Sequence, residues 1–384
     1  MRAKTSRVSR RQLMKFGATG LALGTPYPAI ASAWPSTGFL PQETTQPHPS
    51  AVPVELVKID GNENPYGPSQ MAMQAIRDAI SRSNRYVLSA DKLQRAIALH
   101  HQVGLGMIQV GYGSSEILKM AAEAFLGPGK KLIVASPTYE GMARVSEVQG
   151  ATVVRVPLDS QFRHDLRKMQ EAVTEDTGLI YICNPNNPTA TYVTADALGQ
   201  FVNQLPPRIP IVVDEAYFHY VEDPAYRTAL ESVMNNKPVI VTRTFSKIYG
   251  MAGLRLGYAV AREDLIAKMA AHRVWLNSNA LTLAAGLACF EDQAFISWNR
   301  SQNRGARDYV VGELRKMGYE TIPSQVNFFM IDLKRNMQPV QAALRDRQVM
   351  VGRPFNPLTN HLRVTVGTRP EMERFLVEFK QVMG

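Results

Sequence analysis

Lys247 lies in the run Thr242-Arg243-Thr244-Phe245-Ser246-Lys247, directly after an apolar segment, and Arg255 follows eight positions later across a glycine-containing stretch. A lysine placed at random is a solvated cation. Here partial desolvation, with the neighbouring cations Arg243 and Arg255, is expected to lower its pKa and leave a free amine able to attack a carbonyl. Thr244, Ser246 and Arg255 add hydroxyl and guanidinium donors suited to an anion. Four further clusters carry comparable potential. Asp214-Glu215-Ala216-Tyr217 closes the apolar run Ile211-Val212-Val213, and a carboxylate where water is scarce must be paired or functional. Asn184-Pro185-Asn186-Asn187-Pro188-Thr189 stiffens a turn with two prolines and presents three amides. Gly111-Tyr112-Gly113-Ser114-Ser115-Glu116 precedes a helical run, where free N–H groups can receive an anion, although Ser as an ordinary helix cap explains it equally well. His361-Leu362-Arg363-Val364-Thr365-Val366-Gly367 projects an arginine from a strand, a geometry suited to bidentate binding of a carboxylate.

These clusters need a scaffold that brings them together. Helical periodicity predicts helices over 70–81, 91–102, 114–126, 139–149, 195–205, 280–291 and 294–317. Short apolar runs predict buried strands at Leu132–Ala135, Val153–Val156, Leu179–Cys183, Ile211–Asp214, Val239–Thr242 and Leu256–Val260. Alternation of the two points to a mainly parallel sheet covered on both faces, with ligands bound beyond the carboxyl ends of its strands. Strands at Asn327–Leu333 and Leu362–Val366, between helices at 337–346 and 370–382, predict a smaller α+β domain. The expected division is an arm over 34–59, a large domain over 60–290 whose first part, about 60–85, packs on the small domain, and a small domain over 291–384.

Length and composition agree: 384 residues suffice for two domains, and two cysteines exclude a disulfide scaffold. Cys183 and Cys289 read as buried thiols, and the seven histidines show no metal-ligand spacing, so no metal is expected. The formal charge of +10 suggests nucleic acid until it is located. Arg2, Lys4, Arg7, Arg10, Arg11 and Lys15 supply six of those charges within residues 1–33, which hold no acid, and no basic stripe remains for nucleic acid. Ser9-Arg10-Arg11-Gln12-Leu13-Met14-Lys15, then a weakly apolar stretch ending Ala31-Ser32-Ala33, resembles a bacterial twin-arginine signal. That resemblance implies export of a folded protein to the periplasm, with transient membrane contact and cleavage before Trp34. Pro35 to Pro53 reads as an extended linker.

Taken together, the five clusters resemble the fold-type I pyridoxal-phosphate enzymes of the class I/II aminotransferase group, most closely the histidinol-phosphate aminotransferase branch. Asn62-Glu63-Asn64-Pro65-Tyr66-Gly67, Asn84-Arg85-Tyr86 and Pro137-Thr138-Tyr139 fit that branch in order and spacing, from about Asp60 onward. The resemblance implies an α/β fold, with a mainly parallel seven-stranded sheet in the large domain, and pyridoxal 5'-phosphate as cofactor. It implies transfer of an amino group between an amino acid or related amine and a 2-oxo acid, in a homodimer with shared active sites. Lys247 would form the Schiff base and move the proton, Asp214 would pair with the pyridine nitrogen, and Asn187 and Tyr217 would bond the ring hydroxyl. Tyr139 would stack on the ring. Ser114, Ser115, Thr244, Ser246, Arg255 and a second subunit's Tyr86 would hold the phosphate. Arg363 would anchor the substrate carboxylate, or a phosphate, with Tyr66, Asn64 and Arg353 also at the substrate.

Three departures bear on this expectation. Ala190 replaces the usual glycine and is expected to stiffen its turn, and Val87 stands where a proline is usual. Gly352 precedes Arg353 and is expected to redirect that side chain, which weighs against a phosphate-bearing substrate. Histidinol-phosphate transamination specifically, and other reactions of the same scaffold (decarboxylase, lyase, racemase, cyclising synthase), stand as alternatives. Intact Lys247 and Asp214 oppose a non-catalytic role.

Overall fold

Runs of β-branched residues become strands, and their alternating side chains are divided between two apolar layers. The computed structural model describes residues 56–384. The strands are β1 (Val57–Ile59), β2 (Ile108–Gly111), β3 (Lys131–Ser136), β4 (Thr152–Pro157), β5 (Thr177–Cys183) and β6 (Ile211–Asp214). They continue with β7 (Val239–Thr244), β8 (Gly257–Val260), β9 (Thr321–Ile322), β10 (Phe328–Asp332), β11 (Val349–Val351) and β12 (His361–Thr365). Seven of them form one sheet in the order β2-β8-β7-β6-β5-β3-β4, in which β8 alone runs against its neighbours. Ile211 and Val213 face one apolar layer and Val212 the other, the period-two alternation of a strand buried on both sides. Helices Gly113–Phe125 and Glu263–Ala270 cover one face. Asp91–His101, Ala195–Gln204 and Ala280–Glu291 cover the other.

The C-terminal part builds its own core from a β12-β10-β9 antiparallel sheet, the parallel pair β1-β11 and helices Gln293–Lys316, Met337–Asp346 and Arg369–Met383. Thr368 and Glu371 form a capping box at the last of these helices, satisfying backbone donors that would otherwise be orphaned. Asp292 both ends Ala280–Glu291 and caps Gln293–Lys316, near the expected division at 290.

Several boundaries differ from expectation. Val57–Ile59 is not the end of an extended arm: it pairs in register with Val349–Val351, Val57 and Ile59 buried and Lys58 outward. Three residues are too few for periodicity to reveal a strand. The helix expected from 139 begins at Gly141, leaving Pro137, Thr138 and Tyr139 in the loop after β3. Short elements escaped the sequence reading for the same reason of length, among them β2 and helices Leu166–Glu171, Leu230–Met234 and Glu263–Ala270. The twin-arginine segment and the linker from Pro35 to Pro53 lie outside the described residues. Among the described residues, no helix is long and apolar enough to cross a membrane.

Candidate active site

Because β7, β6, β5 and β3 are neighbours, the loops at their carboxyl ends meet over one cavity of about 360 Å³. Lys247 reaches it from the loop after β7. Its Nζ donates to the Gly61 carbonyl at 3.4 Å and stands 5.5 Å from the centre of the Tyr217 ring. Burial lowers the Lys247 pKa to about 8, with Arg363 and then Arg255 adding to the effect, while Glu63 and Asp214 oppose it. Arg243, expected to share in this, does not. Strand alternation turns it to the opposite face from Thr244, where Nε and Nη2 bond Glu215 Oε2 at 3.0 and 2.8 Å. Glu215 is therefore the paired carboxylate of its run, and Asp214 the free one.

Asp214 Oδ2 accepts from the Tyr181 hydroxyl at 2.8 Å, whereas Oδ1 is buried with no partner. Burial raises its pKa. An unpartnered carboxylate oxygen at this depth calls for a cationic N–H donor. The N-terminus of Gly113–Phe125 presents Ser114 and Ser115 to the cavity beside Thr244, Ser246 and Arg255. Arg255 is fixed by bonds from Nη1 to Ser246 Oγ (3.1 Å) and the Ala252 carbonyl (2.8 Å). A Cβ on Gly113 would fall 2.3 Å from Arg255 Nη2, and one on Gly257 2.4 Å from the Ser114 nitrogen, so both glycines keep this anion cradle open. The serines sit inside the helix's first turn, and neither is its N-cap, which is Tyr112. A ring nitrogen at Asp214, a phosphate in the cradle and an aldehyde near Lys247 match this donor set, so the residues present fit pyridoxal 5'-phosphate.

The amide-rich turn divides its labour. Asn184 bonds the backbone of Val193, and Asn186 ties Thr138, Thr189 and His164 together. Only Asn187 of the three faces the cavity, accepting from Arg363 Nη1 at 2.7 Å. Ala190 holds φ at +65°, the left-handed region, so the substitution strains its turn rather than merely stiffening it. Tyr139 lines the cavity. The Tyr217 hydroxyl accepts from Asn62 Nδ2 at 3.1 Å.

On the substrate side, Arg363 Nη2 donates to the Asp60 carbonyl at 2.6 Å while its buried Nε has no partner. Burial lowers its pKa to about 10. Arg353 also lines the cavity, and Phe355 stands between the two guanidinium groups, 4.3 Å from Arg353 and 4.8 Å from Arg363. Gly352 proves to matter for Arg363: a Cβ there would lie 2.8 Å from the Arg363 carbonyl and 3.0 Å from its Cβ. Four expected members stand apart from the lining, the first being Asp214, buried beside its register partner Cys183, which does line the cavity. Asn64 uses its amide on the Ile248 carbonyl and the Tyr66 nitrogen, bracing the lysine loop; Tyr66 packs edge-on against Trp298; and Tyr86 is 81% exposed.

Tyr181, Asn62, Glu63 and Phe355 received no role from the sequence. Tyr181 had a signal, lying two residues before Cys183 on the same face of β5, and Asn62 and Glu63 stood in the motif Asn62-Glu63-Asn64-Pro65-Tyr66-Gly67; Phe355 reaches the cavity only through the fold. The repulsion of Lys247 by the Arg363 charge has a measurable consequence. In cofactor-free protein, modification of Lys247 by an amine reagent is expected to rise with pH, with a midpoint near 8. Arg363→Ala removes a repelling cation and should move that midpoint upward, while lowering kcat/KM for carboxylate donors about 10- to 100-fold. An unmoved midpoint would disconnect Arg363 from Lys247.

The chain is similar to known proteins over most of its described length. Residues 54–379 match the family described as aminotransferase class I and II. The histidinol-phosphate aminotransferase of Moorella thermoacetica is 38% identical over 337 residues, covering 86% of each chain. That of Symbiobacterium thermophilum is 37% identical, covering 86% of this chain and 91% of the relative. The crystal structure of histidinol-phosphate aminotransferase from Sinorhizobium meliloti in complex with pyridoxal-5'-phosphate superposes with a TM-score of 0.81 at 25% identity, covering 85% of this chain and 91% of that one.

Proposed function

From the premise that the chain belongs to the aminotransferase class I and II family, and is thus a pyridoxal-phosphate-dependent aminotransferase, we propose how its residues divide the work and which substrates they serve. The bound cofactor supplies an aldehyde that captures an amine and a ring that withdraws electrons from the substrate Cα. Lys247, with its amine half neutral near pH 8, holds that aldehyde and, once displaced, carries the proton from and to Cα. Asp214 Oδ1 accepts the ring N–H and keeps it protonated. Asn187 and Tyr217 bond the ring hydroxyl, and Tyr139 covers the ring face. Ser114, Ser115, Thr244, Ser246 and Arg255 bind the phosphate. Arg363, buried with its fork on Asn187 and the Asp60 carbonyl, anchors the substrate carboxylate through the guanidinium N–H groups those bonds leave over, with the exposed Arg353 farther out. The observation that carries this assignment is the convergence of Lys247 and the Arg255 cradle on one cavity, with the orphaned Asp214 oxygen buried beside Cys183 and Ala216 of its wall.

The proposed substrates are an amino acid or related amine as donor and a 2-oxo acid as acceptor. Histidinol phosphate is the second reading, favoured by the names of the relatives. A donor panel assayed with 2-oxoglutarate and pyruvate separates them: amino acids should exceed histidinol phosphate in kcat/KM, and the reverse order contradicts the first reading. The proposed assembly is a homodimer. An apolar surface cavity of about 560 Å³, lined by Leu93, Leu283 and Leu287, opens beside the exposed Tyr86 and suits a second copy whose cradle that tyrosine completes. An active monomer in sedimentation would contradict this. Residues 1–33 support export to the periplasm by the twin-arginine route, and full-length protein confined to the cytoplasm on fractionation would oppose it.

A further inference from the structure

Arg255, Arg353, Arg363 and Lys247 make the cavity strongly cationic, and among the described residues Glu63 is the one carboxylate in its lining. The mechanism above leaves it without a task. Its side chain is 46% exposed and folds back over Gly61, where an added Cβ would lie 3.0 Å from Glu63 Oε2. The Gly61 carbonyl is the acceptor of the Lys247 amine, so the carboxylate and the reacting group both lie against Gly61 at the cavity wall. Its present partner is Lys58 Nζ at 2.5 Å, itself exposed and shared with Asp60. Exposed pairs of this kind hold weakly and exchange readily.

We propose that Glu63 is the docking group for the ammonium of the incoming amine donor, exchanging Lys58 for the substrate cation. This rests on the transamination reading and adds an asymmetry to it. A donor brings both a carboxylate and an ammonium, whereas a 2-oxo acid brings the carboxylate alone. Arg363 serves both halves of the cycle. Glu63 serves only the donor half and repels the acceptor. The groups facing Lys247 are Asp214, Tyr217, Arg255, Arg363 and Glu63, and Glu63 exceeds Asp214 in holding the amine's pKa up. Removing its charge must therefore ease deprotonation of Lys247.

The test is Glu63→Gln in the dimeric holoenzyme, with donor and acceptor half-reactions measured separately. KM for amino-acid donors should rise about ten-fold. KM for 2-oxo acids should stay level or fall, with kcat within about two-fold, an asymmetry that a purely structural lesion does not produce. In cofactor-free protein, the pH midpoint of Lys247 modification should fall, opposite to the shift from Arg363→Ala. Glu63→Asp should recover part of the donor KM, and Lys58→Gln should leave it level or lower it. Equal increases in both KM values, an unchanged donor KM, or an increase of the same size in Lys58→Gln would overturn the proposal. Wild-type enzyme that transfers no amino group from any donor would instead overturn the reading beneath it, a result distinct from these.

Discussion

Lys247→Ala is expected to lower kcat by about a thousand-fold or more, through loss of the covalent hold on the cofactor and of the proton carrier together. The fold should survive. Lys247 is half-buried in a loop beyond β7, and the one hydrogen bond of its side chain is a 3.4 Å contact to the Gly61 carbonyl. The variant should still retain pyridoxal phosphate, because Asp214 and the Arg255 cradle are untouched. What disappears is the borohydride-stable link to the chain. Full turnover by this variant would require another amine. The cavity lining contains none among the described residues.

Asp214→Asn is the second large effect, an expected loss of about 10²- to 10³-fold in kcat, the scale for removing one preorganised electrostatic group. The substitution keeps the shape and an acceptor for the Tyr181 hydroxyl while removing the charge opposite the ring nitrogen. Its effect on the empty protein should have the other sign. Burial raises the Asp214 pKa above the unfolded value, so the ionised carboxylate costs stability above that value. Without cofactor, the variant should therefore melt no lower than wild type. With cofactor, it should lose part of the stabilisation that binding confers. A variant with normal kcat, or one that unfolds without cofactor, would separate Asp214 from the proposed role.

The parts of this site carried on long apolar strands were legible in the sequence. Asp214, Asn187 and Lys247 each follow such a run, and a run fixes both the strand and the end at which chemistry can occur. What alternation does to adjacent charges was less legible. Arg243 looked like a neighbour of Lys247 along the chain, yet its side chain points through the sheet to Glu215. Asn64 belonged to a motif near the mature start, but its amide is consumed in bracing Ile248. Short segments hid the rest. Val57–Ile59 acquires its meaning only by pairing with a strand nearly three hundred residues away, which also carries Gly61, Asn62 and Glu63 to the cavity wall. Gly352 was read through Arg353 beside it, whereas the residue it makes room for is Arg363 on β12, whose carbonyl accepts from the Gly352 nitrogen at 2.9 Å.

The most direct test reduces the purified holoenzyme with borohydride, digests it and maps the modified peptide by mass spectrometry. One phosphopyridoxyl group should appear, on Lys247, and prior exposure to an amino-acid donor should abolish it. A label on another lysine, or no label on a preparation that still transfers amino groups, would contradict the account.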